Sequence, residues 1–201
     1  YDPKSIVIIA CPYAHLLEQC ADDVKNFFNK EGYKLFSSGN SHWKRDLSEL
    51  SFQLNLGLLE EVIILTTHNT LSHDLFKKEM GNIDSNFLLI VDEVHNVASA
   101  SFSTGLLDSY EYRLGLSATP EVYNNEEGTN LLMDYFEGIV FHFDLFKAST
   151  TYGENGETFL APYKYYPMRI SLSEGELQDY YDLSDEISKA YRPNKKEQSN
   201  S

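Results

Sequence analysis

The fold of this chain is decided by the stretch FLLIVDEVH at residues 87–95, in which five apolar residues run directly into two acids. A continuous apolar run of this kind is typical of a strand that is covered on both faces of a sheet. Neighbouring acids at the end of such a strand point in different directions, so Asp92 and Glu93 can take different chemical roles. In a parallel sheet the carboxyl ends of the strands open onto the ligand crevice.

Apolar runs of the same type recur along the chain and alternate with segments of helical spacing. The predicted strands are residues 6–10, 33–36, 62–65, 87–91, 113–116 and 139–143, and the predicted helices are residues 16–28, 43–58 and 71–75. Strands that alternate with helices favour βαβ units. The sequence therefore predicts an α/β fold with a parallel sheet.

The last quarter of the chain has a different character. We expect the α/β unit to extend over residues 1–146, followed by a polar, glycine-containing loop over 147–162. Residues 163–192 are predicted to form an extended aromatic segment and then a helix, because Ser173 and Glu176 have the spacing of a capping box. Residues 193–201 are polar, and we expect a disordered tail there.

Composition narrows the possible functions. The chain has 201 residues, with 16 basic and 31 acidic side chains and a net charge of −15, which disfavours a domain that binds nucleic acid by charge alone. Residues 1–80 have a net charge of −3 (8 − 11), and residues 81–201 have −12 (8 − 20), so a polyanion should prefer the surface built by the first part.

No apolar run approaches the ~18 residues of a membrane span. Cys11 and Cys20 are expected to be buried free thiols in a reducing cytoplasm.

The two acids gain chemical meaning from a second element further along the chain. One carboxylate can hold a hydrated Mg²⁺ ion, and the other can orient or deprotonate an attacking water. A bare acidic pair is more often a solvated loop, but the segment LGLSATP at residues 114–120 is a strand that ends in small hydroxyl residues. Small side chains permit a close approach, and hydroxyls can exchange hydrogen-bond partners with a carboxylate or a histidine.

Together these motifs resemble those of a known family. Residues 92–95 (DEVH) resemble the Walker B box of DEAD/DEAH-type superfamily-two helicases and translocases, and residues 117–119 (SAT) match the family's coupling motif. Upstream, residues 10–19 (ACPYAHLLEQ) and 66–71 (TTHNTL) are similar to its two nucleic-acid-contacting motifs, and residues 159–176 resemble the stretch that leaves the first motor lobe. The resemblance covers nearly the whole chain and is closest to the restriction-enzyme-like branch, that of the type III restriction subunit.

The resemblance implies a RecA-like parallel sheet with flanking helices, the P-loop NTPase fold, and roles for individual residues. Asp92 would hold Mg²⁺ through its water shell, and Glu93 would position the hydrolytic water. The state of the nucleotide would be coupled to nucleic-acid binding by His95, Ser117 and Thr119. Ala118 completes the coupling motif between Ser117 and Thr119. The track for a DNA or RNA backbone would be lined by Pro12, Tyr13, Gln19, Thr67, Asn69 and Thr70. Tyr13 stands where the family usually has threonine and could stack or hydrogen bond instead.

One expected motif does not occur in the sequence. No Gly-x-x-x-x-Gly-Lys-Ser/Thr loop, which cradles phosphates, is found between residues 1 and 201. In the family this loop precedes the strand at residue 6, so we expect an incomplete first lobe, cut from a longer protein whose second RecA-like lobe, and a nuclease or methyltransferase domain, lie elsewhere. Such a fragment should not hydrolyse ATP alone. The resemblance also leaves an unpaired sheet edge beside residues 113–116, where we expect self-association or covering by the chain's own tail.

Two other functions stay open at this point. A RecA-like scaffold that binds partners without nucleotide chemistry would explain the missing phosphate loop and the acidic second part. An unrelated magnesium-dependent phosphohydrolase could also use Asp92 and Glu93. His68 and His73 lie five residues apart, and we interpret them as surface or capping residues rather than metal ligands.

Overall fold

The computed structural model describes residues 5–27, 34–153, 156–161 and 164–190, so the tail expected at 193–201 lies outside the described residues. The strands are Ser5–Cys11 (β1), Lys34–Ser37 (β2), Glu61–Thr67 (β3), Asn86–Val91 (β4) and Tyr112–Gly115 (β5). The α-helices are Ala14–Phe27 (α1), Trp43–Asn55 (α2), His68–Leu71 (α3), Asp74–Gly81 (α4), Glu126–Tyr135 (α5), Leu145–Thr150 (α6) and Glu174–Ala190 (α7). Short 3₁₀ helices cover Val94–Ala98 and Ser103–Gly105.

The five strands form one sheet in the order β2-β3-β1-β4-β5, and every neighbouring pair is parallel. β1 lies at the centre, so that Ala10 is in register with Val91 of β4 and Cys11 with Thr67 of β3. The predicted α/β class with a parallel sheet is confirmed.

The sheet carries apolar clusters on both faces. Alternate residues of β1, including Ile6 and Ile8, enter the larger cluster, to which α2, α4 and α5 contribute. The residues between them, Val7 and Ile9, pack on the smaller cluster beneath α1. Burial of both faces is the physical reason why β1 and β3 are continuous apolar runs rather than alternating ones.

β4 departs from the expected burial on both faces. Phe87, Leu89 and Val91 are fully buried in the larger cluster, whereas Leu88 and Ile90 are half-buried. Helix α1 packs on β1, β2 and β3, so the smaller cluster does not extend as far as β4. Among the described residues, β4 is therefore covered fully on one face only, although its residues are apolar on both faces.

The strand predicted over residues 139–143 is wrong. The structure has no strand there, and Val140 is 85% exposed. A strand depends on a ladder of hydrogen bonds from a neighbour, which apolar composition alone does not provide. The chain divides into two units after His142, slightly earlier than the expected boundary at 146.

The second unit begins at Phe143 and contains α6 and α7. Because α6 is Leu145–Thr150, the loop expected over 147–162 begins after this helix, and Tyr152 and Thr158 form an antiparallel bridge within it. The predicted capping box at the start of α7 is confirmed. The Glu176 carboxylate accepts hydrogen bonds from the Ser173 N–H and hydroxyl, both at 2.8 Å. These hydrogen bonds lower the pKa of Glu176.

β5 is the last strand of the sheet, and its apolar side chains are not fully covered. Tyr112 is 56% exposed and Leu114 39%. Among the described residues β5 lies at one end of the sheet, and self-association through this edge stays a prediction. Within the described part of the chain, no helix has both the length and the apolar composition that a bilayer span requires.

Candidate functional site

The motif residues meet at one edge of the sheet because the strands are parallel. The carboxyl ends of β3, β1, β4 and β5 lie side by side in that order. We call residues 92–95 and 117–119 the β4–β5 edge, and residues 12–19 and 67–70 the β1–β3 edge. The two edges adjoin where Asp92 follows β4, since its N–H donates to the carbonyl of Ala10 in β1 at 2.9 Å.

Hydrogen bonds tie the two segments of the β4–β5 edge to each other. The Leu116 N–H donates to the Val91 carbonyl at 2.8 Å, and the Val94 N–H donates to the Leu116 carbonyl at 2.9 Å. One residue further along, the Ser117 hydroxyl lies 2.9 Å from His95 Nδ1 and accepts the Thr119 N–H at 3.0 Å. The structure thus brings together the acidic motif and the hydroxyl-bearing turn that the sequence paired.

Gly115 permits this close approach. A Cβ atom at Gly115 would lie 3.2–3.3 Å from the two γ-carbons of Val94, which is tighter than ordinary van der Waals contact. Val94 is itself buried in the larger cluster, so it has little room to move. The small second residue of LGLSATP therefore permits the short distance between β5 and the acidic turn.

Asp92 and Glu93 form a turn with unusual backbone geometry. Glu93 has φ 47° and ψ 51°, a left-handed conformation that costs a non-glycine residue of the order of 1–3 kcal/mol. The Asp92 carboxylate accepts the Glu93 N–H at 3.0 Å, which orients the carboxylate and offsets part of this cost. Glu93 Oε2 lies 3.5 Å from His95 Nδ1, and the Glu93 side chain is 45% exposed. The two acids therefore point differently, one held by the backbone and the other open to solvent.

His95 lies between a carboxylate and a hydroxyl on the same ring nitrogen. When Nδ1 carries the hydrogen, it donates to Ser117 Oγ and faces Glu93; when it does not, the Ser117 hydroxyl donates to it. The Ser117 hydroxyl also accepts a hydrogen bond from the Thr119 N–H. The position of the hydrogen on the His95 ring therefore affects a hydrogen bond to the backbone of residues 117–119. Ala118 and Thr119 are exposed and form the outer part of that turn.

His68 is a residue of this site that sequence reasoning missed. The sequence predicts a surface or capping residue rather than a site residue, but His68 is only 2% exposed, and its Nε2 lies 2.9 Å from the carbonyl oxygen of Asp92. A carbonyl only accepts, so Nε2 carries the hydrogen, and burial lowers the pKa of the ring. The expected capping role is confirmed for His73, whose Nδ1 accepts the Leu75 N–H at the start of α4. No sequence signal distinguishes the two histidines, because burial depends on how α3 packs.

The β1–β3 edge presents exposed side chains on a buried support. Tyr13, Gln19 and Asn69 are exposed, and Pro12 is half-buried. The Tyr13 ring is stacked on that of His15, with 5.6 Å between ring centroids and 9° between planes. The β1–β3 edge thus exposes polar and aromatic side chains of the kind that can contact a nucleic-acid backbone or stack on a base.

The two threonines of this edge act mainly within the protein. The half-buried Thr67 caps α3, with its hydroxyl accepting the Thr70 N–H at 3.1 Å. Thr70 is buried, and its hydroxyl lies 3.1 Å from that of Thr67. The side chain of Thr70 therefore supports the turn and is not displayed at the surface with Asn69.

Arg113 is a second residue that the motifs did not indicate. Its guanidinium donates to the carbonyls of Tyr110, Asp108 and Tyr135 at 2.7, 2.9 and 3.2 Å, and it stacks 4.1 Å from the Tyr135 ring. These contacts fix the start of β5 against the end of α5. Arg113 thus supports the strand that precedes Ser117 rather than the site itself.

Comparison with known proteins assigns the family. The model of the type III restriction enzyme res subunit family, ResIII, matches residues 2–122, more than half of the chain. The chain belongs to this family and is therefore a helicase-type domain. No curated protein matches it in sequence.

A solved structure with a TM-score above 0.5 shares the fold. A nuclease-deletion mutant of the Type ISP restriction-modification enzyme LlaGI, in complex with a DNA substrate mimic, matches with a TM-score of 0.54 and 15% identity over 74% of this chain. The chain spans only 16% of the length of that protein. The Sulfolobus solfataricus SWI2/SNF2 ATPase core in complex with dsDNA matches with a TM-score of 0.43 and 19% identity, over 66% of this chain and 25% of that one. The fold is the RecA-like α/β fold of P-loop NTPases.

Proposed function

We propose that the chain forms the hydrolytic and nucleic-acid-contacting part of an ATP-driven motor that moves on DNA or RNA. The observation that carries this proposal is the 2.9 Å contact between His95 Nδ1 and Ser117 Oγ beside the Glu93 carboxylate. A solvated acidic loop would not require a left-handed glutamate held next to a histidine–serine pair. Membership of a helicase-type family supports the same conclusion.

The chemistry of the β4–β5 edge divides between its acids. Glu93, which is half-exposed beside His95, would orient the attacking water and accept its proton. A proton gained by Glu93 changes the charge that faces His95 Nδ1. The hydrogen bond of His95 with Ser117, and through it the SAT turn, would then report the state of the site. This is a physical route from hydrolysis to movement.

Asp92 fits a magnesium-binding role. Its Oδ1 accepts the Glu93 N–H, so the carboxylate is oriented before any ion arrives. Mg²⁺ keeps most of its water and is commonly held by one or two carboxylates together with phosphate oxygens. Mg²⁺ with ATP would supply the activated phosphoryl group; Asp92 would bind the hydrated ion.

The β1–β3 edge would contact the nucleic acid. Tyr13, Gln19 and Asn69 are displayed there, and the amino end of α1 lies at the same edge. Backbone N–H groups at a helix start bind phosphates without lysine side chains, which is compatible with a net charge of −15. His68 would connect this grip to the acidic turn, because it follows Thr67 in sequence and hydrogen bonds to Asp92.

The experiment is Glu93→Gln in the protein expressed from its complete reading frame. We expect ATP turnover in the presence of DNA or RNA to fall by roughly 10²–10⁴-fold while ATP binding is retained, because the amide keeps the shape of the side chain but cannot accept the proton. Turnover is measured by phosphate release, and binding with a fluorescent ATP analogue. Glu111→Gln, at the exposed position just before β5, is the matched control and should leave turnover unchanged.

Other outcomes identify the competing functions. Retained turnover in Glu93→Gln would contradict the role of Glu93. A complete protein that neither binds nor hydrolyses ATP would favour the scaffold, and hydrolysis of a simple phosphoester without ATPase activity would favour a phosphohydrolase.

A further inference from the structure

The two cysteines of the chain lie in contact. Cys11 is the last residue of β1, Cys20 belongs to α1, and their sulfur atoms are 3.4 Å apart. They come together because α1 turns back over the sheet, which places Cys20 against the smaller apolar cluster that contains Cys11. Both are free thiols.

The two cysteines differ in their exposure to solvent. Cys11 is 1% exposed, and burial, reinforced by the neighbouring Cys20 thiol, raises its pKa to about 12. Cys20 is half-buried and is therefore the more exposed of the two residues. An oxidant from solution is therefore expected to react with Cys20 first. Cys11 is shielded from solvent but lies in contact with the Cys20 sulfur.

We propose that Cys11 and Cys20 are a reversible oxidation site that closes to an intrachain disulfide when the protein meets a peroxide. The Cys20 sulfur attacks the O–O bond of the peroxide and becomes a sulfenic acid, and one molecule of water leaves. The Cys11 sulfur then attacks the sulfur of the sulfenic acid, displaces hydroxide and gives its proton to form a second water. Two thiols and one hydrogen peroxide thus become one disulfide and two waters. Two molecules of a small thiol restore both cysteines by exchange and are themselves oxidised to a disulfide.

The geometry requires only a local adjustment. The sulfur atoms must approach from 3.4 Å to the ~2.05 Å of an S–S bond, and Cys20, which is half-buried, is the less enclosed of the two residues. The ring so closed contains Pro12 to Gln19, including the exposed Tyr13. Oxidation should therefore tie the start of α1 to the end of β1. The oxidation itself does not depend on nucleic-acid binding or on ATP.

The test treats the reduced, folded chain with hydrogen peroxide and then alkylates the remaining thiols. We expect the intact mass of the monomer to fall by two hydrogen atoms with no alkyl group added. Because the chain has only two cysteines, an intrachain disulfide can only join this pair. Cleavage after Glu18, which lies between them, should leave the two pieces linked until a reductant is added. Hydrogen exchange should slow over residues 12–19.

Three results would overturn the proposal. They are two thiols that stay alkylatable after peroxide, a disulfide that forms only in concentrated urea, and a disulfide between chains on a non-reducing gel. The order of attack is tested with Cys11→Ser, in which Cys20 should stop as a dimedone-reactive sulfenic acid, and with Cys20→Ser, in which the buried Cys11 should resist oxidation. If either variant fails to fold, alkylation of the reduced wild-type chain replaces it. Cys20 should then react at least about tenfold faster than Cys11, and equal rates would contradict the order.

Discussion

The β4–β5 edge and the β1–β3 edge of the same sheet are organised in opposite ways. At the β4–β5 edge, His95, Ser117 and Thr119 are joined by hydrogen bonds, and Glu93 is held in a left-handed conformation beside them. At the β1–β3 edge the polar support is internal, while Tyr13 and Asn69 are exposed. Chemistry requires groups that are positioned before the reaction, whereas a track must stay accessible to a long polymer. This contrast is what the proposed function requires, in which the β4–β5 edge would carry out hydrolysis and the β1–β3 edge would contact the nucleic acid.

The largest loss of stability is expected at Gly105, which packs against α3 beneath the β1–β3 edge. A Cβ atom at Gly105 would lie 2.9 Å from the carbonyl carbon of Leu71, the last residue of α3, and 3.0 Å from its oxygen. Backbone cannot give way as a side chain can, so Gly105→Ala should lower the free energy of unfolding by about 1–3 kcal/mol, as measured by urea denaturation.

Gly81→Ala is the matched control for this change. Gly81 is the last residue of α4 and has no heavy atom within 4 Å of an added Cβ, so it should be neutral or stabilising by up to about 1 kcal/mol. Equal losses in the two variants would show that the contact with Leu71 is not what supports α3.

His68 tests whether the two edges are independent. His68→Leu removes the donor to the Asp92 carbonyl and should cost about 1–3 kcal/mol near neutral pH, because that carbonyl is left without the histidine. Hydrogen exchange should quicken at residues 92–95 as well as at 67–70. A response confined to residues 67–70 would mean that the edges are not coupled through this contact.

The same residue predicts a pH dependence. Burial lowers the pKa of His68 below its ordinary value of 6.5, so the unfolded chain takes up a proton there more readily than the folded one. The stabilising contribution of the neutral ring is therefore complete above pH 6.5 and is lost as the pH falls below that value. Denaturation at a series of pH values should show a shallower decline in His68→Gln, which keeps a donor but does not titrate. An unchanged slope would remove His68 as the cause.

The smallest effect is expected at the hydroxyl of the β4–β5 edge. Ser117→Ala removes the acceptor of the Thr119 N–H and the partner of His95 Nδ1, which should cost about 0.5–1.5 kcal/mol in this half-buried position. The Thr119 amide should exchange faster, and the ring nitrogens of His95 should shift in NMR spectra. Ser41→Ala, at an exposed position, is the control and should change stability by less than about 0.5 kcal/mol. Unchanged His95 signals would show that the ring does not depend on Ser117.

Much of the architecture could be predicted because its signals are local. The apolar runs of β1, β3 and β4 and the capping box of α7 are properties of a few neighbouring residues, and the structure has all four. The meeting of residues 92–95 with 117–119 followed from parallel strands, whose carboxyl ends share one edge. The strand expected over 139–143 failed because a strand needs a neighbour that composition cannot specify.

The order of apolar and polar residues by itself determined the α/β class, the parallel sheet and the edge at which the motif residues meet, because strand and helix periods are written in short stretches of chain. Only the tertiary structure decided which of these residues are buried. In the structure His68 is hydrogen-bonded to the Asp92 carbonyl, Thr70 is buried, and the sulfur atoms of Cys11 and Cys20 are in contact. Burial and contact depend on how helices pack on the sheet, through distances between segments far apart in sequence, and no local pattern contains those distances.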